Sequence, residues 1–89
     1  PSGHPLLGAN VLVRFYAVGR EITGTDEREF DSTSITDLAS ALIGEFGERM
    51  RALLDASTLL VDGERHTVQS QRSLKPHSVV DVLPPFAGG

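Results

Sequence analysis

Hydrophobic positions along this chain alternate in some stretches and recur at helical spacing in others, and each change of period marks a boundary between predicted elements. In residues 11–17, Val11, Val13 and Phe15 alternate with Leu12 and Arg14 in a run rich in β-branched and aromatic side chains. That pattern predicts a strand whose Val11, Val13 and Phe15 face inward and whose Arg14 faces outward. Gly19 and Gly24 then punctuate a loop or tight-turn region. Over 26–31, Glu27, Glu29 and Asp31 alternate with Arg28 and Phe30, which predicts a second, exposed and weakly buried strand. Ser34-Ile35-Thr36-Asp37 has the form of a helix N-terminus, with a hydroxyl to accept a free amide and an acid in the first turn. Ile35, Leu38, Leu42 and Phe46 follow at helical spacing, and Ala39 and Ile43 widen the stripe. Gly47 is the predicted stop. A short turn of helix follows on Met50, Leu53 and Leu54. Residues 58–61 read as a strand, Asp62-Gly63 as a tight turn, and 64–68 as a return. Leu74-Lys75-Pro76 marks a loop. The last strand is 79–83, with Val80 and Val82 inside and Asp81 facing solvent.

The resulting order is strand, strand, helix, strand, short strand, strand. One main helix packed over one face of a curled mixed sheet gives a two-layer α+β domain with a single core. The ubiquitin-like β-grasp has that order, and in it the first and last strands lie side by side at the centre. The chain therefore divides into a loose leader or cloning remnant over 1–10, opened by Pro1-Ser2-Gly3-His4-Pro5, a globular domain over 11–83 and a C-terminal tail over 84–89.

Composition narrows what such a domain does. Its 89 residues leave little room for a second core or a deep enclosed active site. A net charge of −4 with no dense run of Arg and Lys argues against a nucleic-acid surface. With no cysteine, the chain forms no disulfide and holds no persulfide or thioester on a side chain. No apolar stretch approaches the length of a membrane span, and the leader lacks signal-peptide form, so a cytoplasmic home is expected. His4, His66 and His77 show no metal-site spacing and read as surface histidines; no metal is expected. There is neither a Gly-x-Ser-x-Gly elbow nor a glycine-rich loop followed by Lys-Ser or Lys-Thr. The Glu27-Glu29-Asp31 face reads as a solvated strand, and Lys75, the only lysine, as a solubility residue. Arg14, Arg20, Arg49 and Arg51 are candidates to pair with a partner's carboxylates.

The ending Pro84-Pro85-Phe86-Ala87-Gly88-Gly89 is the candidate site. Two prolines hold the chain extended. Phe86 is large and apolar enough to dock in a partner's pocket. Glycines have no side chain to block a narrow passage. Two readings follow from the residues. In one, the chain is a carrier whose main-chain carboxyl at Gly89 is the reactive group. In the other, the terminal glycines are remnants of trimming or of a tag, and Phe86 folds back to cap the core. A free carboxylate is a poor acyl donor, but its adenylate carries a good leaving group, and sulfur attack then yields a C-terminal thiocarboxylate. Without a phosphate-binding loop the chain does not perform these steps alone. A separate ATP-dependent activating enzyme is implied, and Mg2+ belongs to that partner; no cofactor is expected on this chain.

Residues 10–89 resemble the small subunit of molybdopterin synthase (molybdopterin-converting factor subunit 1), a sulfur carrier of the ubiquitin-like superfamily. The match is carried by Val80-Asp81-Val82-Leu83-Pro84-Pro85-Phe86-Ala87-Gly88-Gly89, by Val11-Leu12-Val13-Arg14-Phe15-Tyr16-Ala17 with Arg20-Glu21 and Gly24, and by Leu60-Val61-Asp62-Gly63. The resemblance implies that Gly89 is the adenylation and thiocarboxylate site and that the tail, with Gly88 beside it, inserts into a large catalytic subunit. There it donates sulfur to cyclic pyranopterin monophosphate, in a heterotetramer of two small and two large subunits. It also implies a ubiquitin-activating-like adenylyltransferase and a sulfurtransferase or other sulfur donor as partners, and places Phe86 against the large subunit. On its own the small subunit is not catalytic. Asp62 stands where asparagine is common, His77-Ser78 replaces a frequent Gly-Asp turn, and the leader exceeds that of a minimal member. Related carriers serve thiamine or cysteine synthesis, and a non-catalytic interaction domain of the same fold is the alternative from another class.

Overall fold

Alternation in the first strand produces the inward face that the sequence requires. In the computed structural model, which describes residues 10–85, β1 (Asn10–Phe15) buries Val11, Val13 and Phe15 and leaves Arg14 exposed. The remaining elements are α1 (Val18–Thr23), β2 (Glu27–Asp31), α2 (Ile35–Phe46), α3 (Glu48–Ala56), β3 (Thr58–Val61), β4 (Glu64–His66) and β5 (Val79–Leu83). The strands form one mixed sheet in the order β2-β1-β5-β3-β4. β1 and β5 run parallel, with Val13 opposite Val80 and Phe15 opposite Val82, while β3 runs antiparallel to β5 on its other side. This is the ubiquitin-like β-grasp, with the first and last strands neighbours and the last strand at the centre.

One face of the sheet meets the helices in a single core. Val11, Val13 and Phe15 from β1, Leu59 and Val61 from β3, and Val80 and Val82 from β5 pack with Ile35, Leu38 and Leu42 of α2 and with Met50, Leu53 and Leu54 of α3. Phe30 is the one buried residue of β2, so the expectation of an exposed second strand holds apart from that anchor. Arg28 lies toward the helices at this edge, where it pairs with Glu45 and stacks over Phe30 and Phe46.

Capping explains where α2 starts. The Ser34 hydroxyl accepts the Asp37 amide at 3.0 Å, and the Asp37 carboxylate accepts the Thr33 amide at 3.1 Å. The two bonds satisfy otherwise orphaned donors reciprocally. The loop after β4 is strapped to the same point, because Ile35 donates to the Arg72 carbonyl, Leu74 donates to the Thr33 carbonyl, and Leu74 is buried. Gly47 closes α2 and opens α3 with φ 81 and ψ −158, a backbone region that a β-carbon all but forbids.

The structure corrects several expectations. Asn10 pairs with Asp31 and belongs to β1, not to a leader; residues 1–9, with His4, lie outside the described residues. The region punctuated by Gly19 and Gly24 is a helix, α1, with Gly19 buried within it and Gly24 as its left-handed cap. The short turn after Gly47 is a helix of 9 residues. The return strand after Asp62-Gly63 ends at His66, before the expected 68. Asp81 points away from the helices yet is not open to solvent, its side chain being 13% exposed. His77 takes up φ 70, and its amide donates to the Asn10 carbonyl at 2.8 Å.

Two glycines separate backbone strain from space. A β-carbon at Gly44, inside α2, or at Gly47 meets nothing within 4 Å. Gly44→Ala is expected to stabilise by up to about 1 kcal/mol through helix propensity. Gly47→Ala is expected to destabilise by about 1–3 kcal/mol through φ and ψ alone. Urea unfolding of the two variants reads the opposite signs directly.

Candidate functional site

β5 is held by β1 as far as Val82, opposite Phe15, and by β3 to its last residue, where Leu83 lies opposite Thr58. Pro84 has no amide to extend the ladder, so the chain leaves the sheet there. Pro84 is buried and Pro85 exposed. Of the residues expected to form the site, these two are placed at the exit of the central strand. Phe86, Ala87, Gly88 and Gly89 lie outside the described residues.

The two prolines form a ridge between shallow grooves. On the open face of the sheet, Thr58, Leu60, Arg65 and Leu83 line a groove of about 330 Å³ with Pro84 and Pro85. On the helix side, Val18 and Ile22 of α1 face Arg49, Ala52, Leu53 and Ala56 of α3 across a groove of about 320 Å³ that the same prolines wall. Sequence reasoning did not find either groove, because their walls come from segments far apart in the chain.

Charge is distributed unevenly around this ridge. Arg14 pairs with Asp81, Arg20 with Asp26, Arg28 with Glu45, Arg51 with Glu48 and Arg72 with Glu64. Three of the four arginines expected to meet a partner's carboxylates, namely Arg14, Arg20 and Arg51, are thus engaged within the chain. Among the described residues Arg49 and Arg65 have no ion pair, and one lies in each groove.

Behind the exit a polar cluster stiffens the open face. The Arg14 guanidinium donates to Asp81 through Nε at 2.7 Å and through Nη2 at 3.2 Å, and the Tyr16 hydroxyl donates to the same carboxylate at 2.7 Å. Burial by itself pushes the Asp81 carboxyl up, but the bonds from Arg14 and Tyr16 and the arginine's charge more than offset it, so the carboxyl titrates below the ordinary aspartate range. The Tyr16 phenol is correspondingly raised, chiefly by its bond to Asp81. Arg14 and Asp81 are directly opposite in the parallel register, and the signal in the sequence was a cation and an anion both on outward positions of the two strands expected to be neighbours.

The turn at Asp62 is tied to β5 as well. The Asp62 carboxylate accepts the Val79 amide at 2.8 Å, and the Asp62 amide donates to the Val79 carbonyl at 2.8 Å. The first of these bonds is the main reason its carboxyl is lowered. Asparagine's carbonyl supplies the same acceptor, so the aspartate is a conservative occupant of this turn. His66 sits at the edge strand, with Nε2 3.0 Å from Glu64 and Nδ1 3.0 Å from the Ser70 hydroxyl; it fastens the following loop. His77 is exposed. Among the described residues no group of three or more histidine, cysteine or acidic side chains is arranged to hold a metal ion, and no helix is long and apolar enough to cross a membrane.

No family model matches the chain, and no curated protein matches it significantly. Solved structures do match. The chain is similar to small archaeal modifier protein 1 from Methanosarcina acetivorans, with a TM-score of 0.75 at 22% identity, covering 91% of this chain and 97% of that one. It is similar to a candidate molybdopterin converting factor, subunit 1, from Pyrococcus furiosus, with a TM-score of 0.70 at 24% identity and 88% and 99% coverage. It is also similar to small archaeal modifier protein 1 from Haloferax volcanii, with a TM-score of 0.70 at 18% identity and 90% and 99% coverage. Likeness at these identities establishes the shared fold.

The Asp81 cluster gives a signed dependence on pH. A carboxyl lowered on folding contributes stability above its unfolded pKa and loses it as pH falls through its native one. Asp62 and Glu64 are lowered too, Glu64 by His66 first and then by Arg72. Stability is therefore expected to fall as pH drops below about 4. Asp81→Asn should cost about 1 kcal/mol at neutral pH and flatten part of that acid-side decline. Urea unfolding of both proteins across the acid range checks the sign and the size.

Proposed function

We propose that this protein is a ubiquitin-like sulfur carrier whose working group is the main-chain carboxyl of Gly89. The observation that supports it best is the placement of Pro84-Pro85 at the exit of β5, the central strand of the five. A tail anchored there starts from a fixed point and direction, and Phe86-Ala87-Gly88-Gly89 follows with bulk decreasing toward the end.

The chemistry asked of the tail is simple. A Gly89 carboxylate oxygen attacks the α-phosphorus of ATP on a ubiquitin-activating-like adenylyltransferase, and pyrophosphate leaves. A sulfide-level nucleophile, delivered by a sulfurtransferase or other sulfur donor, then attacks the acyl carbon and AMP leaves, giving the thiocarboxylate. ATP and Mg2+ act on the activating enzyme. Gly88 and Ala87 keep the segment narrow enough for an enclosed active site. Pro84 and Pro85 set its exit, and Phe86 supplies an apolar contact to the receiving enzyme. In the finer form of the proposal, that enzyme is the large catalytic subunit of molybdopterin synthase in a heterotetramer. The thiocarboxylate there gives its sulfur to cyclic pyranopterin monophosphate. The paired prolines and the likeness to the Pyrococcus furiosus protein favour this branch over carriers for thiamine or cysteine synthesis.

A second reading is favoured by a specific finding: three of the similar structures, two of them from Haloferax volcanii, are named modifier proteins. In that reading the same activated Gly89 carboxyl is attacked by an amine of another protein and forms an amide.

Incubation with the activating enzyme, ATP and a sulfur donor is expected to add the mass of one oxygen-to-sulfur exchange, localised to Gly89 by fragmentation. An unchanged mass under conditions that convert a known carrier would reject carriage, and covalent adducts with other proteins would favour the modifier reading. Deleting Gly88 and Gly89 is expected to abolish the mass gain while leaving unfolding stability within about 0.5 kcal/mol.

A further inference from the structure

We propose that the helix-side groove between α1 and α3 is an intramolecular seat for the side chain of Phe86, so that the tail has a docked resting position on its own domain. This inference does not depend on sulfur chemistry.

The groove is apolar where it matters. Val18 and Ile22, one turn apart on α1, and Ala52 and Ala56, one turn apart on α3, form its sides. Leu53, 6% exposed, is the one buried residue among those helix positions and closes it from below. The two alanines are exposed and the two α1 side chains half-buried, so this is apolar surface without a cover among the described residues. Small residues on α3 leave the hollow. At about 320 Å³ it exceeds the roughly 150 Å³ cavity that takes up benzene.

The occupant is identified by connectivity. Pro84 and Pro85 are one wall of the groove, and Phe86 is the next residue and the only large apolar side chain after them. A side chain tethered at the rim meets the groove at high effective concentration, and two fixed proline φ angles restrict where the chain searches. Arg49, which has no ion pair among the described residues, also lines the groove and offers a cation to the face of the ring. The groove on the open face of the sheet is a poorer seat, because besides the prolines only Leu60 and Leu83 in its lining are apolar, against five apolar side chains on the helix side.

Covering one phenyl ring gains about as much as fixing the two or three residues that bring it there costs. The seat is therefore reversible, and any partner that takes Phe86 competes with the domain itself.

Methyl NMR on the full chain tests this. Phe86→Ala is expected to abolish upfield ring-current displacements at Val18, Ile22, Ala52 and Ala56, and the wild-type chain should give nuclear Overhauser contacts from the Phe86 ring to the two alanine methyls. Ala52→Glu, at an exposed helix position, should remove those contacts without unfolding the protein. Methyl resonances at the groove that are indifferent to Phe86→Ala overturn the proposal. So do effects confined to Leu60 and Leu83, which would place the ring on the sheet side. Displacements that vanish on serial dilution overturn it as well, because the occupant would then be the tail of a second copy.

Discussion

Everything in this domain is built on the parallel pairing of β1 with β5. Val13 beside Val80 and Phe15 beside Val82 make the buried centre of the sheet. The helices pack on it, β2 and β3 extend from it, and the tail leaves from its end. The same pairing sets Arg14 opposite Asp81 on the other face. One register thus positions both the apolar core and the polar cluster behind the exit. A slip by one residue would reverse the faces, burying Arg14 and exposing the valines.

Elements whose signal is local were legible in the sequence. The inward sets of β1, β3 and β5 follow from alternation, and α2 announces itself by a Ser34 cap, a stripe and a glycine stop. α1 was not legible because it has only six residues and carries a glycine at its second position, so propensity argues against it. Packing of Val18 and Ile22 against the core decides the outcome instead. α3 was underestimated for a related reason. Its polar residues obscure the Met50, Leu53 and Leu54 stripe, and a glycine with a backbone conformation of its own separates it from α2. Asp81 was read as outward, correctly, and as open to solvent, incorrectly; the cover comes from Arg14 and Tyr16, more than sixty residues earlier in the chain. The candidate tail was legible as a motif. The grooves beside it were not, since no single stretch of sequence contains their walls.

Electrostatics reinforces the asymmetry between body and exit. The chain carries a net charge of −4, and most of its arginines are neutralised internally. The two without an ion pair among the described residues, Arg49 and Arg65, flank the prolines. Surface ion pairs of this kind add little stability. Their greater effect here is on what remains: an acidic molecule whose uncommitted guanidinium groups lie on either side of its tail root, a pattern that orients approach more than it strengthens binding.

The separation of 67 residues between Arg14 and Asp81 has a consequence for biosynthesis. Sheet formation at the centre must wait for the final strand, and closing so long a loop is slow. A nascent or truncated polypeptide stopping short of Val79 has no middle to its sheet, and its helices lack the Val80 and Val82 part of their core. Val79–Leu83, which complete the sheet, lead directly into the segment proposed to react, so a chain cut short of them lacks both its centre and its candidate tail.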